Sequence, residues 1–141
     1  MNKNEADDLK MMLNNNNGGE VSKFFKDKSV FITGGTGFMG KVLVWKLLSA
    51  CPDIKSIYLL IRPKKGILSQ DRLDKVIFST PIFKSWKTDK PELLDKVKSL
   101  NGDITLPKLG LSDNDIELLV NEISVVFHSA ATVRFDEEIS K

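Results

Sequence analysis

The stretch SVFITGGTGFMG, Ser29 to Gly40, decides how this chain is read. Val30, Phe31 and Ile32 form a short apolar run of strand-forming residues, and Thr33 leads into a glycine-rich turn. The residues after the turn have a helical composition. A strand that ends in glycines and opens a helix is a place to put a phosphate: the first amides of a helix lack partners, and its dipole adds partial positive charge there. Gly35, Gly37 and Gly40 satisfy G-x-G-x-x-G, while Gly34, Gly37 and Gly40 satisfy G-x-x-G-x-x-G. The sequence leaves both spacings open. A plain strand-turn-helix corner is the bland alternative, and the position between a strand and a helix weighs against it. Gly35 to Lys41 also spells G-x-x-x-x-G-K, the start of a nucleoside-triphosphate loop. The next residue should then be Ser or Thr, to hold magnesium, but it is Val42.

The 141 residues suffice for one domain with its own core. The 21 basic and 19 acidic side chains give +2, which implies no pull toward nucleic acid or anionic membrane. One cysteine, Cys51, and one histidine, His128, cannot build a disulfide framework or a zinc site within the chain. No apolar run approaches the roughly 20 residues of a bilayer span, and the polar N-terminus is unlike a signal peptide.

Residues 1–20 read as a disordered polar tail around Asn14 to Gly19, NNNNGG. Residues 21–141 read as the folded domain. Val21 to Lys28 leads into the sheet, with Phe24 and Phe25 expected to pack against it as a short helical or turn segment. Strands are expected over Ser29–Thr33, Ser56–Ile61, Val97–Gly102 and Ile123–Phe127. The first helix is expected over Phe38–Ala50, largely buried and ended by Pro52. Further helices are expected over Gln70–Phe78, Pro91–Lys96 and Asp113–Glu122, the last capped by Ser112 with Asp115 at its third position. Phe83 and Trp86 are expected to anchor an irregular segment. The continuous apolarity of the second strand suits a parallel strand covered on both faces, so the spacing reads as a right-handed βαβ unit.

The end of the second strand tests the ligand. In doubly wound sheets an acidic residue there binds the 2′-hydroxyl of NAD. Here Arg62, Lys64 and Lys65 follow instead, with no carboxylate between Tyr58 and Gln70. A 2′-phosphate suits arginine's fork, so the stretch reads as selecting NADP, with a solvated basic turn as the alternative. Asp103, after the third strand, can accept a bond from the adenine amino group or cap its own turn. After the fourth strand, the small residues of His128-Ser-Ala-Ala-Thr132 let a nucleotide lie flat against the sheet. His128 reads as a local hydrogen-bonding residue that shapes this turn, with a catalytic base as the alternative.

Four stretches, in order, resemble one family: VFITGGTGFMGKVLVWKLL, IYLLIRPKKG, NGDI and VVFHSAATVRFDE. They are similar to the N-terminal part of the fatty acyl-CoA reductases, also called male-sterility-type NAD-binding domains, of the extended short-chain dehydrogenase/reductases. The insect enzymes are the most similar, and the resemblance covers about Phe24 to Lys141. It implies a Rossmann-type α/β fold, a doubly wound parallel sheet of which this chain holds the first four strands in the order 3-2-1-4. It implies NADPH-dependent reduction of a long-chain fatty acyl-CoA to a fatty alcohol through an aldehyde. Thr33, Gly34, Gly35, Thr36, Gly37, Phe38, Met39 and Gly40 would hold the pyrophosphate, chiefly through amides of Thr36 to Met39. Arg62, together with Lys65, would hold the 2′-phosphate, Asp103 and Ile104 would flank the adenine, and Ala130, Ala131 and Thr132 would line the path to the nicotinamide ribose.

The family's Tyr-x-x-x-Lys pair has no match. The one tyrosine, Tyr58, lies in the second strand with Arg62 four residues on, and it reads as core. No catalytic residue is therefore assigned to this chain. An apolar fourth strand left at a sheet edge invites pairing, so the chain is expected to be the N-terminal part of a longer protein, whether a fragment, an incomplete gene model or a truncated product. Membrane association, on the cytosolic face of the endoplasmic reticulum or peroxisome, is implied only through C-terminal segments not in this sequence. The alternatives are another extended reductase or epimerase, such as one acting on nucleotide sugars, and a non-catalytic NADP-binding module.

Overall fold

The computed structural model describes residues 19–131. Most of the expected polar tail, and Thr132 at the far end, lie outside the described residues. The described chain opens with α1 (Glu20–Phe25) and then enters β1 (Ser29–Thr33), α2 (Phe38–Ala50) and β2 (Ser56–Ile61). It continues through α3 (Ser69–Arg72), a π-helical turn (Leu73–Phe78) and three one-turn helices, α4 (Pro81–Lys84), α5 (Trp86–Asp89) and α6 (Pro91–Leu94). β3 (Val97–Asn101), a 3-10 turn (Pro107–Gly110), α7 (Asp113–Glu122) and β4 (Ile123–His128) complete it.

The strands form one sheet in the order β3-β2-β1-β4, and each neighbouring pair is parallel. This is the Rossmann-type arrangement expected from the sequence. β1 and β2 occupy the centre, and every residue of both is buried. That is why they are apolar without alternation: each face meets a different layer. Val30, Ile32, Ile57, Leu59 and Ile61 join α2 residues Val44, Leu47 and Leu48 in the larger core. Phe31, Tyr58, Leu60 and Leu100 form a smaller cluster on the opposite face, against Leu118 and Leu119 of α7 and Leu109 and Leu111 near the 3-10 turn. Tyr58 thus has the core position the sequence suggested.

α2 buries Gly40, Val44, Leu47 and Leu48, while Val42, Leu43 and Trp45 are half-buried, so it is less enclosed than its composition suggests. Trp45 lies 6.3 Å from Trp86, centroid to centroid, and Phe83 lies 5.7 Å from Trp86. This aromatic group anchors the short helices between β2 and β3. The segment expected as one helix over Gln70–Phe78 begins at Ser69 and widens to a π-helical turn from Leu73. Leu73, Ile77 and Phe78 are all buried, and the wider turn lets them share one face. α7 starts as expected, with the Ser112 hydroxyl accepting the Asp115 amide at 3.1 Å.

β4 departs from its composition. Its residues alternate between half-buried and exposed, and Val126 is 60% exposed. Val125 and Phe127 pack against the larger core, while Val126 lies in the opposite sense. An irregularity in the β1–β4 register between Ser29 and Val30 shifts Ile123 onto the smaller cluster.

The central strands therefore carry the stability. Leu59→Ala, at a position with no exposed surface, is expected to cost about 2–5 kcal/mol in urea denaturation of the chain. Val126→Ala is expected to cost far less, since its side chain is largely in water.

Candidate functional site

β1 sends its chain to β2 on one side, and β4 returns to its other side. The carboxyl ends of β1 and β4 therefore diverge at the switch point where open α/β sheets form a crevice. An open cleft of about 300 Å³ lies there. Its floor and walls come from Gly34, Thr36 and Gly37 after β1, Leu60 and Arg62 at the end of β2, Gly102 to Ile104 after β3, and Ser129 to Ala131 after β4.

The glycine turn resolves the two spacings the sequence left open. Gly34 has φ +72°, and a Cβ built on it would lie 2.5 Å from the Ala130 nitrogen. A Cβ on Gly40 would run into the Gly34 carbonyl oxygen. Backbone crowding thus restricts Gly34 and Gly40, the two ends of G-x-x-G-x-x-G. Gly35 meets only the flexible end of Leu59, at 2.9 Å. The turn is closed by the Gly37 amide donating to the Gly34 carbonyl at 3.1 Å. Lys41 N–H returns to the Gly37 carbonyl at 3.0 Å as the first helical bond of α2. Gly37 offers no side-chain cap, so the amides of Phe38 to Gly40 precede any helical acceptor and are available to an anion.

Below the turn, Thr33 is buried, with its hydroxyl 2.7 Å from His128 Nδ1 and 3.4 Å from the Ala130 amide. The Thr33 carbonyl accepts from both the Ser129 hydroxyl, at 2.7 Å, and the Ser129 amide, at 3.2 Å. His128 is thus a local hydrogen-bonding residue, as its position suggested.

At the other end of the cleft, Arg62 Nε lies 3.0 Å from Asp103 Oδ2, and a terminal nitrogen lies 3.5 Å from Oδ1. Asp103 Oδ1 also accepts the Thr105 amide at 2.9 Å and the Thr105 hydroxyl at 2.8 Å. Of the two roles open to Asp103, turn capping is the one seen here. The Thr105 bonds, with the Arg62 charge beside them, hold the Asp103 carboxyl below the usual carboxylate range. Arg72 donates to the Arg62 carbonyl and so fixes the backbone just past β2.

The cleft gathers Gly34, Thr36, Gly37, Arg62, Asp103, Ile104, Ala130 and Ala131 of the expected binding residues. Thr33, Gly35 and Gly40 support it from beneath. Phe38 and Met39 stand out from the start of α2, 80% and 69% exposed. Lys65 is exposed and does not line the cleft. Sequence reasoning missed Leu60, Gly102, Arg72 and Thr105. Gly102 carried a signal, a glycine between a strand and an aspartate: a Cβ there would strike Leu60 and approach the Leu109 carbonyl oxygen at 2.5 Å. Among the described residues, no group of His, Cys, Asp and Glu has the arrangement of a metal site.

Residues 32–141 match the family described as Male sterility protein. Over 119 residues the chain is 39% identical to Fatty acyl-CoA reductase 1 of Mus musculus and 43% identical to Fatty acyl-CoA reductase wat of Drosophila melanogaster. Each match covers 84% of this chain and 23% of the relative, so the chain spans about a quarter of their length. Among solved structures, the reductase (R) domain of a non-ribosomal peptide synthetase from Mycobacterium tuberculosis is similar, with a TM-score of 0.62 and 29% identity. That match covers 75% of this chain and 24% of the other.

Two outcomes follow from the geometry. Gly34→Ala is expected to destabilise the chain by more than about 1 kcal/mol in urea denaturation, since both its φ and its neighbour oppose a side chain. Gly19→Ala, with open space around it and only an N-cap preference at α1 to lose, is the comparison and is expected to cost less. Asp103 is expected to titrate, by carboxyl-resolved NMR, below the ordinary aspartate value of about 3.9. Because its folded pKa is depressed, its contribution to stability is present above that value and is lost as pH falls through the folded pKa.

Proposed function

The chain belongs to the Male sterility protein family, and from that membership and the cleft we propose that it forms the NADPH-binding part of a fatty acyl-CoA reductase. In this reading residues 21–141 are the N-terminal part of the coenzyme domain. The observation that carries it is the pairing of a crowded glycine turn, with free helix-start amides, and an arginine at the end of β2. The first suits a diphosphate, and the second suits a 2′-phosphate.

The donor set fits such a coenzyme. Of the amides expected to hold the diphosphate, Thr36 to Met39, those of Thr36, Phe38 and Met39 would do so, the Gly37 amide being turned to the Gly34 carbonyl. Arg62 keeps N–H groups beyond those turned to Asp103, and its side chain is 66% exposed, so it can take a phosphate without losing the ion pair. Lys65 would add charge from the rim. Asp103 and Ile104 would flank the adenine, and Ala130, Ala131 and Thr132 would lead to the nicotinamide ribose. The bound coenzyme supplies the hydride, used twice as a long-chain acyl-CoA passes through an aldehyde to an alcohol. The names of the mouse and fly relatives, both fatty acyl-CoA reductases, support that substrate class. The fly protein's slightly higher identity supports kinship with insect members.

This chain's own residues bind and orient; none is assigned to proton transfer. Its one tyrosine, Tyr58, is buried between the sheet and α7. The reading places the protein on the cytosolic face of endoplasmic reticulum or peroxisome membranes. Among the described residues, no helix is long and apolar enough to cross a membrane. Nucleic acid has no part in it.

The test is titration of NADPH and NADH against wild type and Arg62→Ala. Loss of charge-assisted bonds worth about 1.5–3 kcal/mol should weaken NADPH roughly 10- to 100-fold and NADH little. Equal losses for both would overturn the 2′-phosphate assignment, and no binding of either by wild type would overturn the whole reading.

A further inference from the structure

We infer that His128 is a positioning residue for the dinucleotide, acting through Thr33 to set the β4 wall of the cleft. The inference rests on the dinucleotide reading above and adds a residue to which that reading gave no role.

The Thr33 hydroxyl joins the ends of β1 and β4. Thr33 is 2% exposed, so its hydroxyl needs protein partners. It has His128 Nδ1 at 2.7 Å and the Ala130 amide at 3.4 Å. Thr33 and His128 are paired across β1 and β4, so the contact spans the last rung of the ladder. A threonine side chain has few allowed rotamers. The short bond to the imidazole selects the one that also presents Oγ1 to the Ala130 amide.

That choice matters because the next step of β4 has almost no tolerance. The Ala130 nitrogen lies where a Gly34 side chain would begin, at 2.5 Å from the constructed Cβ. Ser129, Ala130 and Ala131 form one wall of the cleft, and Gly34 and Gly37 form part of the other. The Ser129 bonds to the Thr33 carbonyl fix the strand end along its length, whereas the Thr33 hydroxyl fixes how far Ala130 swings from Gly34. Releasing the hydroxyl widens the gap between the walls. His128 itself is exposed, so it adds little to core burial, and its effect is local to this gap.

The experiment uses ADP-ribose, which carries the diphosphate but neither the 2′-phosphate nor the nicotinamide, titrated calorimetrically into the chain. His128→Gln keeps the bulk but carries its amide past the Nδ1 position. His128→Asn places an amide atom close to it. His128→Gln and Thr33→Val are each expected to weaken ADP-ribose by about tenfold, as for one lost hydrogen bond, and the double variant by no more than about the same factor. His128→Asn is expected to stay within about threefold of wild type. In His128→Gln the Ala130 amide is expected to exchange hydrogen faster, with the β1–β2 amides unchanged. Wild-type affinity in His128→Gln, equal weakening by Asn and Gln, or multiplicative losses in the double variant would each overturn the inference while leaving the dinucleotide reading standing. A wild-type chain that binds no ADP-ribose would remove both.

Discussion

The approach of the Gly34 backbone to Ala130 is the constraint on which the rest of the site depends. Two parallel strands can end side by side in many ways. Here the chain leaves β1 through a left-handed glycine and turns directly against Ala130, two residues past β4. The same turn brings Gly40, in the first turn of α2, against the Gly34 carbonyl. One crowded place thus fixes the start of a helix, the end of a strand and the gap between them. Helix-start amides attract an anion only where open space adjoins them, and this packing sets the start of α2 directly after Thr36 and Gly37, which line the crevice.

The opposite end of the cleft is organised by charge rather than by crowding. Arg62 follows a central strand whose six residues are all buried, and Arg72 ties down its carbonyl. Its guanidinium meets Asp103, which is itself held by Thr105. An arginine on an exposed loop would lose much of its binding energy to ordering its own side chain. Here part of that ordering is present before any ligand arrives.

Much of this was legible in the sequence, for local reasons. β1, α2 and α7 have the limits their composition suggests, because each begins and ends on a local signal: a glycine turn, a proline, a serine cap. The central pair was legible because burial on both faces leaves no polar position. The exposure of β4 was not. Val125-Val-Phe127 reads like a central strand, but burial depends on what lies across from it, and Val126 has little packed on its side. The π-helical turn was hidden for a similar reason: Leu73, Ile77 and Phe78 fit a helical period closely enough that only their packing separates a wide turn from an α-helix. The contacts Arg62–Asp103 and Thr33–His128 join residues 41 and 95 positions apart. No local pattern encodes such pairs, although each partner drew attention alone.

The same long-range pairing changes how the charges after β2 and β3 should be understood. Taken singly, an arginine after β2 argues for a phosphorylated ribose, and a carboxylate nearby argues against it by repulsion. The structure gives the carboxylate a different task. Asp103 spends one oxygen on the Thr105 amide and hydroxyl and turns the other to Arg62 Nε. It therefore braces the guanidinium from one side, and the remaining N–H groups of Arg62 stay open to solvent. A carboxylate placed after β2 would compete for the ribose hydroxyl directly; placed after β3 and bonded to its own turn, it serves the arginine. The position of the acid relative to the strand ends, more than the local count of charges, is what bears on the choice between the two nicotinamide coenzymes.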